Sequence, residues 1–476
     1  LLGEIQKELD NFFHPGGEPL IQSYSDILKS ARPGPGVNVG SNGTSYYSKY
    51  FSSPLTTTSL YLYEEYKDYA EWIPSFSEAE ANRYEKYGLP SVVSGSRCSF
   101  VPKTSSTSRM ICIEPSLNMY FQLGLAAHLE SRLKTYFRID LSQQPNVNRR
   151  LAQLGSKDGS FATIDLSSAS DSISLRLCEL LLPQWVFDLL LTLRSPSARI
   201  GNSTVPLFMI STMGNGFTFP LQTIIFSAIV RATITVYGRG LIDSEFSVFG
   251  DDIICSSYLA RNVIRSLRLF NFKVNPNKTF YEGAFRESCG ADWFHGQPVR
   301  PVFVKRLDLP FDYLVAINLL NEWSAYTGIP LRNTIRMLTR ALHPRFRVFV
   351  PFESPLDSGI RVPSRLIKPR YDRNQSFLFP SWARRPTVYR IGDGTIRFPR
   401  GFKDLIWNPH GLYMSFLFGE LRDNIIMTRH SHRLYYRKLR CCPFWDYIPT
   451  DSLSNGVRLS WQQWETAVLV NSQQPD

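Results

Sequence analysis

The sequence predicts a mixed helix-and-strand fold of the α+β class, on three observations. Residues 161–305 alternate short β-like runs with helical stretches. Within them Ser247–Ser256 reads as a tight hairpin, apolar on both sides of Gly250-Asp251-Asp252. Tyr313–Leu342 then carries a helical pattern. Ahead of these, residues 1–160 are mixed and loop-rich, with Gly/Pro clusters at Ala31–Gly36 and Gly40–Gly43. The chain has 476 residues, 43% of them hydrophobic. At roughly 150 residues per domain that predicts about three domains, and it supplies enough apolar side chain to exclude wholesale disorder.

Seven cysteines are scattered singly apart from Cys441-Cys442, which fits reduced thiols and a cytoplasmic setting better than a disulfide framework. Zinc at His430, His432, Cys441 and Cys442 is disfavoured, because adjacent cysteines match ligand spacing poorly. Leu1–Asp10 is amphipathic and charged, unlike a secretory leader, and a first residue other than Met leaves a native start upstream open. The apolar runs Leu180–Leu193 and Thr223–Val236 are interrupted by Pro183, Gln184, Asp188 and Arg231, so no membrane span is expected.

The formal net charge of +12 points towards a polyanionic partner. Between Leu331 and Arg440 there are 22 Lys and Arg against 7 Asp and Glu, while the rest of the chain has a net charge of −3. Aromatics interleave the basic stretch, among them Phe346, Tyr371, Trp382, Trp407, Tyr435 and Tyr436. Cations on phosphates with rings on bases make a single-strand binding surface. Arg384, Arg385, Arg433 and Arg437 are the candidate RNA contacts; an ordinary basic subdomain is the alternative.

The chemistry is concentrated in the middle. Adjacent aspartates at a turn repel each other, and a divalent cation with a taste for carboxylate oxygens relieves that cost. A solvated Asp-Asp turn would look the same. Phe161–Ile164 is a buried-strand pattern that closes on Asp165, with Leu166–Ser170 and Asp171 next in the chain. Two-metal nucleotidyl transfer needs carboxylates from separate elements, with ions about 4 Å apart, and a strand-end Asp ahead of an Asp-Asp hairpin meets that need. Asp165 or Asp171 could equally be a capping residue. Gly214 and Asn215 lie in a glycine loop before a helical run, where backbone can approach a ligand closely. Lys103 and Arg109 bracket a hydroxyl-rich loop that suits a triphosphate, or form an exposed hairpin.

These segments resemble, in order and spacing, the replicases of the small single-stranded RNA bacteriophages (the Qβ-like leviviruses). The matching stretches are Lys103 with Arg109–Asn118, Ala162–Ser174, Met213–Phe219, Phe249–Asp252, and Lys278–Phe280 with Phe285–Gly290. The likeness runs from about Gly34 to Val304. One departure is Phe249, where that family usually has Tyr; activity is expected to survive it.

The resemblance implies a right-hand polymerase of fingers, palm and thumb, its antiparallel palm sheet flanked by helices. Residues 1–160 would be the N-terminal region and fingers, 161–305 the palm with a fingers insertion near 176–210, and 306–476 the thumb and basic C-terminal region. It also implies roles. Asp165, Asp251 and Asp252 would bind two Mg²⁺, or Mn²⁺. Lys103 and Arg109 would steady the incoming phosphates, and Asp171 and Asn215 would face the ribose 2′-hydroxyl. Lys278 would protonate the leaving pyrophosphate, though a solvated strand-edge lysine fits that position equally. The implied partners are template and product RNA, ribonucleoside triphosphates, host elongation factors Tu and Ts and in some cases a ribosomal protein, in the cytoplasm of an infected bacterium and without a membrane. A reverse transcriptase shares the palm, but its aromatic gate would fall at Ala169 or Ser170. A non-catalytic RNA-binding subunit would not need three intact acids.

Overall fold

The computed structural model describes residues 1–476 apart from 42, 104–106, 239–245, 305, 364–365, 368–369, 372, 374–376, 386–387, 393–394, 398–402, 406, 420, 423–424, 428–434, 442–451, 455–456 and 473–476; most strand residues from 370 to 458 are described by their backbone alone. Helices and short, mostly antiparallel strands make an α+β fold. The chain divides into two compact units interleaved in sequence. One takes in Leu1–Lys103, Thr107–Cys289 and Pro386–Ser431; the other takes in Gly290–Arg385 and His432–Asp476.

In the first unit, α1 (Leu2–Phe13) buries Ile5, Leu9, Phe12 and Phe13, the stripe expected of an amphipathic helix. Further along the chain are helices α2 (Leu60–Glu71) and α3 (Pro74–Tyr87); Ser59 caps the first and Pro74 opens the second, where a missing N–H costs nothing. Strands β1 (Ser96–Pro102) and β2 (Ser108–Ile113) form an antiparallel hairpin. Helix α4 (Ser116–Tyr136) is buried on most of its surface, and α5 (Gln144–Asp158) ends at the left-handed Gly159. Strand β3 (Phe161–Ile164) comes after it, and later β4 (Ser197–Ile200), which pairs with β1 and β5 (Ser203–Pro206). The apolar run Leu180–Leu193 is not one helix: Leu175–Leu181 and Gln184–Leu193 are separated at Pro183.

Helix α6 (Thr218–Tyr237) is the hub of this unit and packs on α1, α4 and α7 (Ala260–Leu269). It is longer than its sequence pattern predicts and, among the described helices, is the one long and apolar enough to cross a membrane, although most of it is buried inside the protein. It runs through Arg231 because that guanidinium is accommodated: it lies 4.3 Å from the Phe137 ring centroid and 3.4 Å from Glu8. Strands β6 (Ser247–Phe249) and β7 (Asp252–Ser256) then form a hairpin, and β7 also pairs antiparallel with β3, giving the sheet order β3-β7-β6.

In the second unit, Tyr313–Leu342 is two helices rather than one. Helix α8 (Pro310–Thr327) ends at Gly328, whose φ of +74° suits glycine, and Pro330 precedes α9 (Arg332–Ala341). Strands β8 (Phe377–Arg385) and β9 (Tyr435–Cys441) form an antiparallel ribbon, and α10 (Trp461–Ser472) packs on α8 and α9. Trp464 is buried against Phe352, with ring centroids 4.3 Å apart.

Candidate active site

The β3-β7-β6 sheet brings the predicted acids together. Ile253 pairs with Ile164, so one further step along that register sets Asp165 opposite Asp252. Phe249 pairs with Asp252 across the hairpin, leaving Gly250 and Asp251 as its two-residue turn. Gly250 has a φ of +64°, the conformation a two-residue turn needs at its first central position. Its N–H donates to Thr223 Oγ1 of α6 at 3.1 Å, so helix and turn are tied. The Phe249 ring packs edge-on against Phe219 at 4.7 Å and needs no hydroxyl for that contact.

Asp165 is held from a segment further along the chain. Its Oδ2 accepts from Asn275 Nδ2 at 2.9 Å, its carbonyl accepts from the Asn275 N–H at 2.9 Å, and its own N–H donates to Thr279 Oγ1 at 3.2 Å. Burial pushes its carboxyl up to about 6; the charges of Asp251 and Asp252 add to this, and Asn275 and Lys278 oppose it. Asp252 is also raised, first by burial and then by Asp251, although Ser288 Oγ (3.3 Å) and Cys289 Sγ (3.6 Å) donate to its carboxylate. Burial works against the Lys278 ammonium, but Glu287, Asp165 and Asp252 outweigh it and hold its pKa above the ordinary lysine value. Lys278 Nζ lies 3.5 Å from Glu287.

Among the described residues none of the three aspartates is in an ion pair, and no three His, Cys, Asp or Glu side chains form a ready cluster around a metal position. The acids are thus electrostatic neighbours without a cationic partner in contact. Hard carboxylate oxygens of this kind suit Mg²⁺, and a divalent ion would offset the burial and, after it, the mutual repulsion that raise Asp165 and Asp252.

Other supports had no local signature in the sequence. Asn148 of α5 is fully buried and donates to the Asp252 carbonyl (3.3 Å) and to Ser288 Oγ (3.2 Å). It also accepts from Ser247 Oγ, which in turn accepts from Gln144 Nε2 at 2.6 Å.

The glycine loop is laid on β2. The Cys112 N–H donates to the Met213 carbonyl at 2.8 Å, and a Cβ at Gly214 would stand 2.2 Å from the Cys112 oxygen. Asn215 is buried, and its Oδ1 accepts from the Phe217 N–H at 3.0 Å, the local bond of a residue shaping a turn. Gln122 Oε1 accepts from the Gly216 N–H, while its Nε2 donates to Glu114, a carboxyl that burial pushes above its usual range. Asp171 is exposed in a single helical turn.

Lys103 and Arg109 are exposed at the turn end of the β1–β2 hairpin, and residues 104–106 between them lie outside the described residues. Neither cation is bonded to the three aspartates among the described residues. Arg384 and Arg385 stand opposite Tyr436 and Tyr435 in the β8–β9 ladder, and Arg437 stands opposite Ala383; the backbone alone is described there. Arg433 lies outside the described residues, as do His430, His432 and Cys442 of the disfavoured zinc set.

Residues 60–351 match the sequence model of the family described as RNA replicase, beta-chain. The chain is 44% identical over 262 residues to the RNA-directed RNA polymerase beta chain of Escherichia phage MS2, covering 55% of this chain and 46% of that one. It is 39% identical over 282 residues to the RNA-directed RNA polymerase subunit beta of Escherichia virus Qbeta, covering 58% and 47%. To the beta chain of Enterobacteria phage fr it is 45% identical over 241 residues, covering 50% and 43%. The chain thus spans about half the length of the curated relatives it matches. Among solved structures, the RNA-dependent RNA polymerase of a human picorbirnavirus aligns with a TM-score of 0.35 at 13% identity, over 52% of this chain and 56% of that one.

Proposed function

This chain belongs to the RNA replicase beta-chain family, and on that footing we propose that it catalyses RNA-templated RNA synthesis in a right-hand polymerase fold whose palm is built on the β3-β7-β6 sheet. The observation that carries this reading is the register that sets Asp165 opposite Asp252, beside the Asp251 turn. Asp165, Asp251 and Asp252 would hold two Mg²⁺ ions, or Mn²⁺, which when bound would lower the pKa of the attacking 3′-hydroxyl and neutralise the triphosphate. The chain's own residues do the positioning. Asn275 and Thr279 fix Asp165, Ser288 and Cys289 orient Asp252, and the tie from Thr223 holds the turn. Lys278, charged and within electrostatic reach of Asp165, is suited to give a proton to leaving pyrophosphate. Lys103 and Arg109 would meet the incoming phosphates, and Asp171 and Asn215 the ribose 2′-hydroxyl. The basic Arg384, Arg385, Arg433 and Arg437 would grip template or product RNA. Host elongation factors Tu and Ts, and a ribosomal protein, are proposed partners in the bacterial cytoplasm on family resemblance alone.

Ala169 is buried and small where a reverse transcriptase would carry an aromatic gate, which supports ribonucleotide use. Extension of one primer–template by the purified chain, with and without bacterial host extract, should favour ribo- over deoxyribonucleoside triphosphates by at least about tenfold. A preference for deoxy substrates would overturn the proposal.

A further inference from the structure

Helix α7 carries Arg261, Arg265 and Arg268 at helical spacing, so they share one side of it while Val263, Ile264 and Leu267 face the core. Such a stripe is ordinarily a solvated surface. Here it forms one wall of an open cavity of about 600 Å³, whose other wall is the segment from Val274 to Glu282 with Pro276, Phe280 and Tyr281. The acid lining the cavity, Glu282, is taken by Arg261 at 2.7 Å. Among the described residues Arg265 and Arg268 have no ion-pair partner, and both are exposed. Two guanidiniums without a counter-charge, facing an apolar and partly aromatic wall, match a phosphate joined to a flat base. None of the three aspartates lines this cavity, yet its wall is the segment whose Asn275 and Thr279 hold Asp165.

We propose that this cavity binds a nucleotide unit of single-stranded RNA outside the active site, its phosphate between Arg265 and Arg268 and its base on the Phe280–Tyr281 wall. The proposal rests on the chain being an RNA-binding polymerase, but its test needs no synthesis. A short oligoribonucleotide carrying 4-thiouridine is cross-linked to the full chain and the adduct mapped by mass spectrometry. Adducts within 274–282 are expected, and they should fall at least fivefold in the Arg265→Ala/Arg268→Ala variant. The logarithmic salt dependence of oligonucleotide affinity should flatten by roughly 0.7, the loss of one single-strand phosphate contact. Adducts only elsewhere, with the variant's salt slope unchanged, would overturn the proposal. So would protection of the segment by millimolar UTP without any oligonucleotide adduct, the behaviour of a free-nucleotide pocket. Metal-dependent incorporation measured on the same preparation separates the two readings: its absence counts against the polymerase and leaves the cross-link map standing.

Discussion

Gly250 shows how tightly single residues are constrained at the site. Its φ of +64° is one that side-chain-bearing residues rarely adopt, and a methyl there would stand 2.5 Å from the Phe219 ring and 2.7 Å from Gln222 Nε2. The Gly250→Ala change should therefore cost about 2–4 kcal/mol, from the left-handed conformation and overpacking together. A denaturant melt showing a loss under about 0.5 kcal/mol, within the range of neutral surface changes, would mean that the turn is looser than described. The glycine and both acids were legible in the sequence because a two-residue turn between apolar strands has a local pattern. Asp165 was legible for the same reason, as the residue closing a four-residue apolar strand. The residues that hold these acids were not. Asn275 bonds to Asp165 across 110 positions, and no local period records such a contact.

At the scale of elements, the hairpin is supported from two sides. Helix α6 reaches it through Thr223, and α5 through Asn148 and Gln144. Sequence periodicity placed the helical run at Thr223–Val236, inside α6, but missed its first turn, because the glycine loop and Pro220 ahead of it look in sequence like a helix boundary. It also joined α8 and α9 across Gly328 and Pro330, although both are helix-ending residues. Buried Asn148 is the α5 residue most open to test. Asn148→Ala would leave the Ser247 and Ser288 hydroxyls and the Asp252 carbonyl short of a partner, which should cost about 1–3 kcal/mol. It should also lower nucleotide incorporation at a temperature where the variant is still folded. Full stability and full activity in the alanine variant would remove α5 from the account of the site.

At the scale of the molecule, charge and chemistry occupy different parts of the chain. The acids belong to the first unit, while the basic excess between Leu331 and Arg440 is divided between the two units, with 386–431 in the first and the rest in the second. Net charge signalled a polyanionic partner but carried no information on that division, since composition is blind to which strands pair. The α+β class was readable from alternating strand and helix patterns. The interleaving of the two units was not, because it depends on contacts between segments far apart in sequence. The aspartates at one end of the β3-β7-β6 sheet are proposed to perform metal-dependent nucleotide transfer. This role is tested most directly by template-directed incorporation of a labelled ribonucleotide with Mg²⁺, comparing the native chain with Asp251→Asn and measuring RNA affinity in parallel. Incorporation should fall at least about 100-fold in Asp251→Asn with RNA affinity unchanged; incorporation persisting at the native rate would rule the metal assignment out.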